Sequence, residues 1–368
     1  MELLEKAQEM EGRGENIVHM EIGEPDFATP DIIREAAVKA VRDGRTFYTH
    51  SLGLKELRER IAGHYAETRG VDVSPERIIV TSGTSGAFFL LCSVLLDAGK
   101  NFVISDPGYP CYKNFGVLFD ANVVSLPVSE DSRFEITPDQ VDGAGIVPHL
   151  LMACSPSNPT GTEYGEDSLE RLHSRVSSKG GVMAVDEIYS GLSYTGKWRS
   201  ALAVSDDIIV VDGFSKTYAM TGWRLGWIVV PPSLVRPMQK MGQNVFISAP
   251  TISQHAALRA FDATEELENM KRKYVERRDY LFPRLRELGF GLSVVPDGAF
   301  YIYADIGRWG MDSMVFTERA LNEAKVAITP GYDFGSYGAG SHVRFSYASD
   351  MDNLREGCRR LEEWLGQI

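Results

Sequence analysis

The sequence predicts an α/β fold. A mostly parallel sheet carries helices on both faces, and a smaller α+β domain is attached to it. Three observations lead there. From about residue 78 to residue 216, short β-type runs alternate with helical stretches, the pattern of a parallel sheet covered on both sides. After about residue 262 this alternation gives way to a long charged helix and a hairpin-like segment. The length, 368 residues, and a composition 43% hydrophobic and 24% charged are enough for two cores. The expected division is a large domain over 31–262 and a small domain built from 1–30 plus 263–368.

In chain order, residues 31–44 (DIIREAAVKAVRDG) place Ile32, Ile33, Ala36, Ala37, Ala40 and Val41 on one helical face and stop at Gly44. Residues 54–69 repeat the pattern with Leu54, Leu57, Ile61 and Tyr65. RIIVTSGTSG is a short apolar strand entering a glycine turn, and AFFLLCSVLLDAG, apolar all round, is a buried helix. NFVISDPGYP reads as strand then turn, and 122–126 as a further strand. HLLMACSPSNPTG is strand then loop, and SLERLHSRVSSKGG is a helix. VMAVDEIYSGL and IIVVDGFSK are strands. In the C-terminal part, TEELENMKRKYVERRDYLFPRLRELG is the long helix. The closing helix spaces Leu354, Cys358, Leu361 and Leu365 at i, i+4, i+7 and i+11.

The net charge of −13 argues against nucleic acid or an anionic membrane as a partner, because the long-range field repels phosphate. Of the four cysteines, the nearest pair in sequence, Cys92 and Cys111, are 19 positions apart, so there is no CxxC pair and no metal-site spacing. Their apolar settings suggest buried thiols in a reducing compartment. The acidic start MELLEKAQEMEGRGE lacks the features of a signal peptide, and the longest apolar run, AFFLLCSVLL, is too short to span a membrane. A cytoplasmic protein is expected.

Open parallel sheets bind ligands outside the carboxyl ends of their strands. Those ends carry Ser82–Gly86, Pro107–Tyr109, Ser157–Gly161, Asp186–Tyr189 and Ser215–Lys216. TSGTSGAF opens a helix and reads either as a capped turn or as a phosphate site, where free N–H groups and the helix dipole favour an anion. Gly83 and Gly86 do not complete a G-x-G-x-x-G fingerprint, which disfavours a nucleotide-binding dehydrogenase. Asp186 ends a buried strand, where a carboxylate either caps the next turn or meets a cation. Lys216 lies in an apolar stretch that disfavours its charged form and makes it a better amine nucleophile. Arg224 follows it.

Taken together, SPSNPTG, DEIY and GFSKTYAMTGWRLG resemble the fold-type I pyridoxal 5′-phosphate (PLP) aminotransferases of class I/II. The resemblance is closest to the bacterial and archaeal branch with many aspartate and aromatic aminotransferases. It runs in order from IGEPDFATP near residue 22 to HVRFSYA near residue 348. It implies that Lys216 forms a Schiff base with the cofactor and then shuttles a proton, and that Asp186 pairs with the pyridine nitrogen. Tyr189 and Asn158 would bond the phenolic oxygen, and Tyr109 would stack on the ring. Thr84, Ser85 and Arg224, with Ser215 as a lesser member, would cradle the phosphate. Gly213 stands where many relatives carry a serine. Tyr48 would reach the phosphate of the neighbouring subunit, which implies a homodimer with a shared active site. Arg344 would grip the substrate α-carboxylate, and the segment at Gly23 would close over the substrate through its backbone. Relatives usually carry a longer N-terminal arm, so shortened arm contacts are expected.

The function implied is transfer of an amino group from an L-amino acid to a 2-oxo acid, with 2-oxoglutarate the expected acceptor and ping-pong kinetics. A PLP-dependent C–S β-lyase acting on cysteine S-conjugates could use the same residues. A PLP-binding regulatory module is disfavoured, because no basic DNA-binding segment is present. Ser85 stands where some relatives carry a lysine for a distal carboxylate, so aspartate, aromatic, alanine-type and branched donors all stay open.

Overall fold

The structure is a computed structural model and describes residues 2–368. Helix α1 (Glu2–Gly12) leads into the short strand β1 (Val18–His19), and α2 (Asp31–Arg42) and α3 (Lys55–His64) follow. Strand β2 (Ile78–Thr81) then enters α4 (Gly83–Leu95). The alternation continues through β3 (Asn101–Asp106), α5 (Pro110–Leu118), β4 (Asn122–Pro127), α6 (Pro138–Gly143), β5 (Leu150–Cys154), α7 (Glu166–Ser178) and β6 (Val182–Asp186). Strands β7 (Ile209–Gly213) and β8 (Gly226–Val229) come next, followed by α8 (Pro232–Val245), α9 (Thr251–Ala257) and α10 (Thr264–Glu287). The last part holds β9 (Tyr301–Asp305), α11 (Ser313–Arg319), β10 (Val326–Ala327), β11 (Thr329–Pro330), β12 (His342–Ser346) and α12 (Met351–Leu365).

Seven of these strands form one sheet in the order β2-β8-β7-β6-β5-β3-β4. The pairings β3–β4, β3–β5, β5–β6 and β6–β7 are parallel, and β8 runs antiparallel to both its neighbours. Strand β2 therefore points the same way as β7. The carboxyl ends of β2, β7, β6, β5 and β3 all open on one edge, which gathers the polar residues following them.

Alternate strand residues supply the two faces of the sheet, as period-two geometry requires. Val103, Leu151, Met183, Val185 and Val210 pack with Leu57 and Ile61 of α3 and Leu169, Leu172 and Val176 of α7. Phe102, Ile104, Leu150, Met152, Ala184 and Ile209 pack with Ala87, Phe88, Leu90 and Leu91 of α4. The expected burial of helix 31–44 holds for Ile33, Ala37 and Ala40, whereas Val41 is 56% exposed beside the exposed Val38.

A third core joins Tyr274, Leu281 and Leu285 of α10 to Tyr301, Val343, Phe345, Leu354 and Leu361. It lies around the antiparallel sheet β11-β12-β9. The N-terminal segment belongs with this part, since β1 pairs in parallel with β10. Among the described residues no helix is long and apolar enough to cross a membrane.

Candidate active site

At the shared edge of the large sheet lies a pocket of about 260 Å³, lined by Gly23, Thr84, Tyr109, Cys154, Asn158, Asp186, Ile188, Tyr189, Lys216, Tyr301 and Arg344. Eight of these eleven lining residues are sequence-predicted; Cys154, Ile188 and Tyr301 are not. The loop between β7 and β8 carries Lys216, whose Nζ donates to the Gly23 carbonyl at 2.6 Å. Burial pushes this amine down to about 8; the carboxylate of Glu24 opposes the shift, while Arg344 and Arg224 add to it.

Asp186 is 3% exposed, and its bonded partners are neutral donors. Tyr112 Oη donates to it at 2.6 Å and the Ile188 N–H at 3.1 Å. Burial pushes the carboxyl up to about 7, against the pull of those two bonds. Such a group is completed by a cation placed against it.

Arg344, on β12, is 6% exposed. It donates to Asn158 Oδ1 at 3.0 Å, to the Glu21 carbonyl at 2.6 Å and to Thr329 Oγ1 at 3.2 Å. Its guanidinium lies 4.2 Å from the Tyr301 ring centre and 4.9 Å from that of Phe334. Its Nε has no hydrogen-bond partner. A buried guanidinium bonded only to neutral oxygens is built to receive an anion. Tyr189 Oη shares a 2.9 Å hydrogen bond with Tyr301 Oη, and burial holds the Tyr189 phenol well above its ordinary value.

The rim carries the helix-terminus feature read from TSGTSG. Helix α4 begins at Gly83, where φ is +71°. A Cβ there would lie 2.7 Å from Arg224 Nη2, so glycine allows the guanidinium to lie against the helix start. A Cβ at Gly226 would lie 2.9 Å from both Gly83 C and Thr84 N. Arg224 is exposed, adopts φ +52° and donates to the Thr221 carbonyl at 2.9 Å. A side chain at Gly213 would press on Thr84 Cγ2, Ile188 Cδ1 and Gly226 Cα, each 3.2 Å from its Cβ. This crowding gives a packing reason for glycine at position 213.

Ser85, Ser215, Arg224 and Tyr48 do not line the pocket itself. Ser85 is exposed on the first turn of α4 and Ser215 is buried beside Lys216. Tyr48 is 78% exposed, next to Phe47 at 82%. Sequence reasoning missed Tyr112 and Tyr301. Tyr112 lies one helical turn after Tyr109, a spacing that could have pointed to it; Tyr301 carries no local signal.

A doubly covered, mostly parallel sheet, with a lysine, an acid and an arginine converging at its carboxyl edge, is the arrangement of class I and II aminotransferases. The family model for aminotransferase class I and II matches residues 15–361, and the chain belongs to that PLP-dependent family. It is 37% identical to the (5-formylfuran-3-yl)methyl phosphate transaminase of Methanocaldococcus jannaschii, over 100% of this chain and 96% of that protein. It is also 37% identical to the valine–pyruvate aminotransferase of Mycobacterium tuberculosis, over 95% of this chain and 91% of the relative. A crystal structure of an aminotransferase from Mycobacterium tuberculosis superposes with a TM-score of 0.96 at 36% identity, covering 100% of this chain and 96% of that one. The protein is an aminotransferase.

Proposed function

We propose that this aminotransferase binds PLP covalently through Lys216 and moves an amino group from an L-amino acid to 2-oxoglutarate by a ping-pong mechanism. The observation that carries the reading is the pairing of Lys216 with Arg344, the two cations that line the pocket among the described residues. One is a half-buried amine poised near neutrality, and the other is a buried guanidinium without a carboxylate partner. The residues fit the cofactor: Asp186 suits a protonated ring nitrogen, Tyr109 a ring face, Tyr189 and Asn158 a phenolic oxygen. The start of α4 with Thr84, Ser85, Ser215 and Arg224 suits a phosphate. Bound PLP supplies an electron sink for negative charge at the substrate Cα.

Within that site the chain's own groups divide the work. Arg344 takes the α-carboxylate in its planar fork, which Tyr301 and Phe334 hold between them. Lys216 Nζ, as the free amine, is the base placed to take the Cα proton. The carbonyl of Gly23, now bonded to that amine, lies where the N-terminal segment covers the substrate.

Three further readings accompany this one. Phe47, Tyr48, Val38, Val41 and Ile247 are exposed apolar side chains suited to a homodimer contact, in which Tyr48 serves the partner's phosphate site. The division into 31–262 and 1–30 plus 263–368 fits the pairing of β1 with β10 and the start of α10 at Thr264. We read the protein as cytoplasmic, from its free cysteines, which are mostly buried.

The names of the two curated relatives point to dissimilar substrates, a furan phosphate and valine with pyruvate, so the donor is left to experiment. A panel of L-amino acids with 2-oxoglutarate is expected to give the donor's 2-oxo acid and glutamate. Pyruvate and ammonia from a cysteine S-conjugate without any acceptor would instead mark a C–S β-lyase.

Tyr112→Phe removes a hydrogen bond to a charged group, worth about 1.5–3 kcal/mol. It is expected to keep PLP bound and to lower kcat by roughly 10-fold or more. Steady-state kinetics with the absorbance spectrum check this, and an unchanged kcat would remove Tyr112 from the site.

A further inference from the structure

On the face of the sheet opposite Asp186, one buried cation is bonded to residues adjacent to the pocket walls. Arg69 ends a π-helical turn, Tyr65–Arg69, that extends α3 and closes at Gly70 with φ +64°. Its Nη1 donates to Glu187 Oε2 at 3.1 Å. Its Nη2 donates to Asp212 Oδ2 at 2.7 Å and to Ser190 Oγ at 2.8 Å. The side chains of Arg69, Glu187 and Asp212 are 7%, 1% and 2% exposed. The guanidinium is held between rings, 4.4 Å from the centre of Tyr65 and 5.3 Å from that of Trp198.

Each partner has a neighbour in the active site. Glu187 follows Asp186, and Ser190 follows Tyr189. Asp212 lies in β7 just before the loop that bears Lys216, and its Oδ1 accepts the Gly213 N–H at 2.6 Å. The parallel ladder between β6 and β7 ends at Asp186 opposite Val211, with one more bond from the Glu187 N–H to the Val211 carbonyl. Past that point the ladder ends, and the Arg69 fork bonds side chains on both segments.

We propose that Arg69 is a positioning residue that locks the carboxyl ends of β6 and β7 together and so sets the placement of Asp186 and Tyr189 against Lys216. This rests on the reading of the pocket as a PLP site. The geometry needs arginine: a planar fork reaches acceptors on both chain ends at once, whereas a lysine ammonium offers a single point of charge. Loss of the fork would let the two ends drift, and a misplacement of about 1 Å at reacting groups costs on the order of 100-fold in rate. Arg344 hangs on β12, outside the clamp, so binding of the substrate carboxylate does not depend on it.

The test compares wild type, Arg69→Met, Arg69→Lys, Ser190→Ala and a packing control, Leu172→Ala, which opens the same core away from the pocket. Melting temperature, PLP dissociation constant, kcat and amino-acid KM are measured on each. Arg69→Met is expected to weaken PLP by about 10-fold or more and to lower kcat by roughly 100-fold, with KM little changed. Arg69→Lys and Ser190→Ala should move the same two quantities less. Leu172→Ala should lower the melting temperature while leaving PLP affinity and kcat in place. Should Arg69→Met fail to fold, Arg69→Lys and Ser190→Ala decide the matter. If these keep PLP affinity and kcat within about twofold of a yellow wild type, the clamp is overturned and Arg69 is a packing residue. A wild type that takes up no PLP overturns instead the reading of the pocket on which the clamp rests.

Discussion

Lys216→Ala is expected to lower kcat by at least 10²–10⁴-fold, roughly the contribution of a positioned acid–base group alone. It also removes the proposed attachment point for PLP. The substitution leaves a cavity bounded by Gly23, Asp186 and Tyr189, so the fold should persist while the reaction is lost. The wild-type amine has a pH signature that the variant lacks. Burial lowers the Lys216 pKa to about 8, so the amine is protonated below that value and free above it. Because the nucleophile is the neutral form, the rate of PLP uptake by cofactor-free protein should climb with pH up to about 8 and level off beyond it. Stopped-flow absorbance measures this directly, and a flat profile across that range would place the reactive amine elsewhere.

Arg344→Ala is expected to act on the substrate and spare the cofactor. The guanidinium is buried, and truncating one partner of a buried, hydrogen-bonded charge pair costs about 2–5 kcal/mol. That corresponds to a fall of roughly 30- to several-thousand-fold in kcat/KM for amino acids, most of it in KM. Arg344→Lys should recover little, since an ammonium cannot present the planar fork to a carboxylate. Equilibrium dialysis of PLP against the variant separates the roles: retained PLP with weakened amino-acid binding is the expected result. Loss of PLP would move Arg344 into the cofactor site.

Much of this site could be read in the chain because its chemistry follows strand ends. Asn158, Asp186, Tyr189 and Lys216 each come shortly after an apolar run, and local patterning locates those runs. Groups contributed by distant segments leave no such local signal. Tyr301 reaches the pocket only because β9 pairs with β12, and Tyr112 bonds an acid 74 positions away. Arg69 reads in sequence as the end of an amphipathic helix; its three acceptors belong to two other strand ends. Strand β8 is not among the elements expected from the sequence, because GWIVV follows directly on the lysine-bearing segment. Val41 fits the helical face by periodicity yet is exposed, because the buried stripe of α2 is narrower than the apolar one.

The central proposal, a covalent bond between PLP and Lys216, is tested most directly by borohydride reduction of the purified, PLP-loaded protein followed by peptide mass spectrometry. The expected result is a yellow protein that bleaches on reduction and carries the cofactor's mass on Lys216 alone. A colourless protein, or a label on any other lysine, would contradict it.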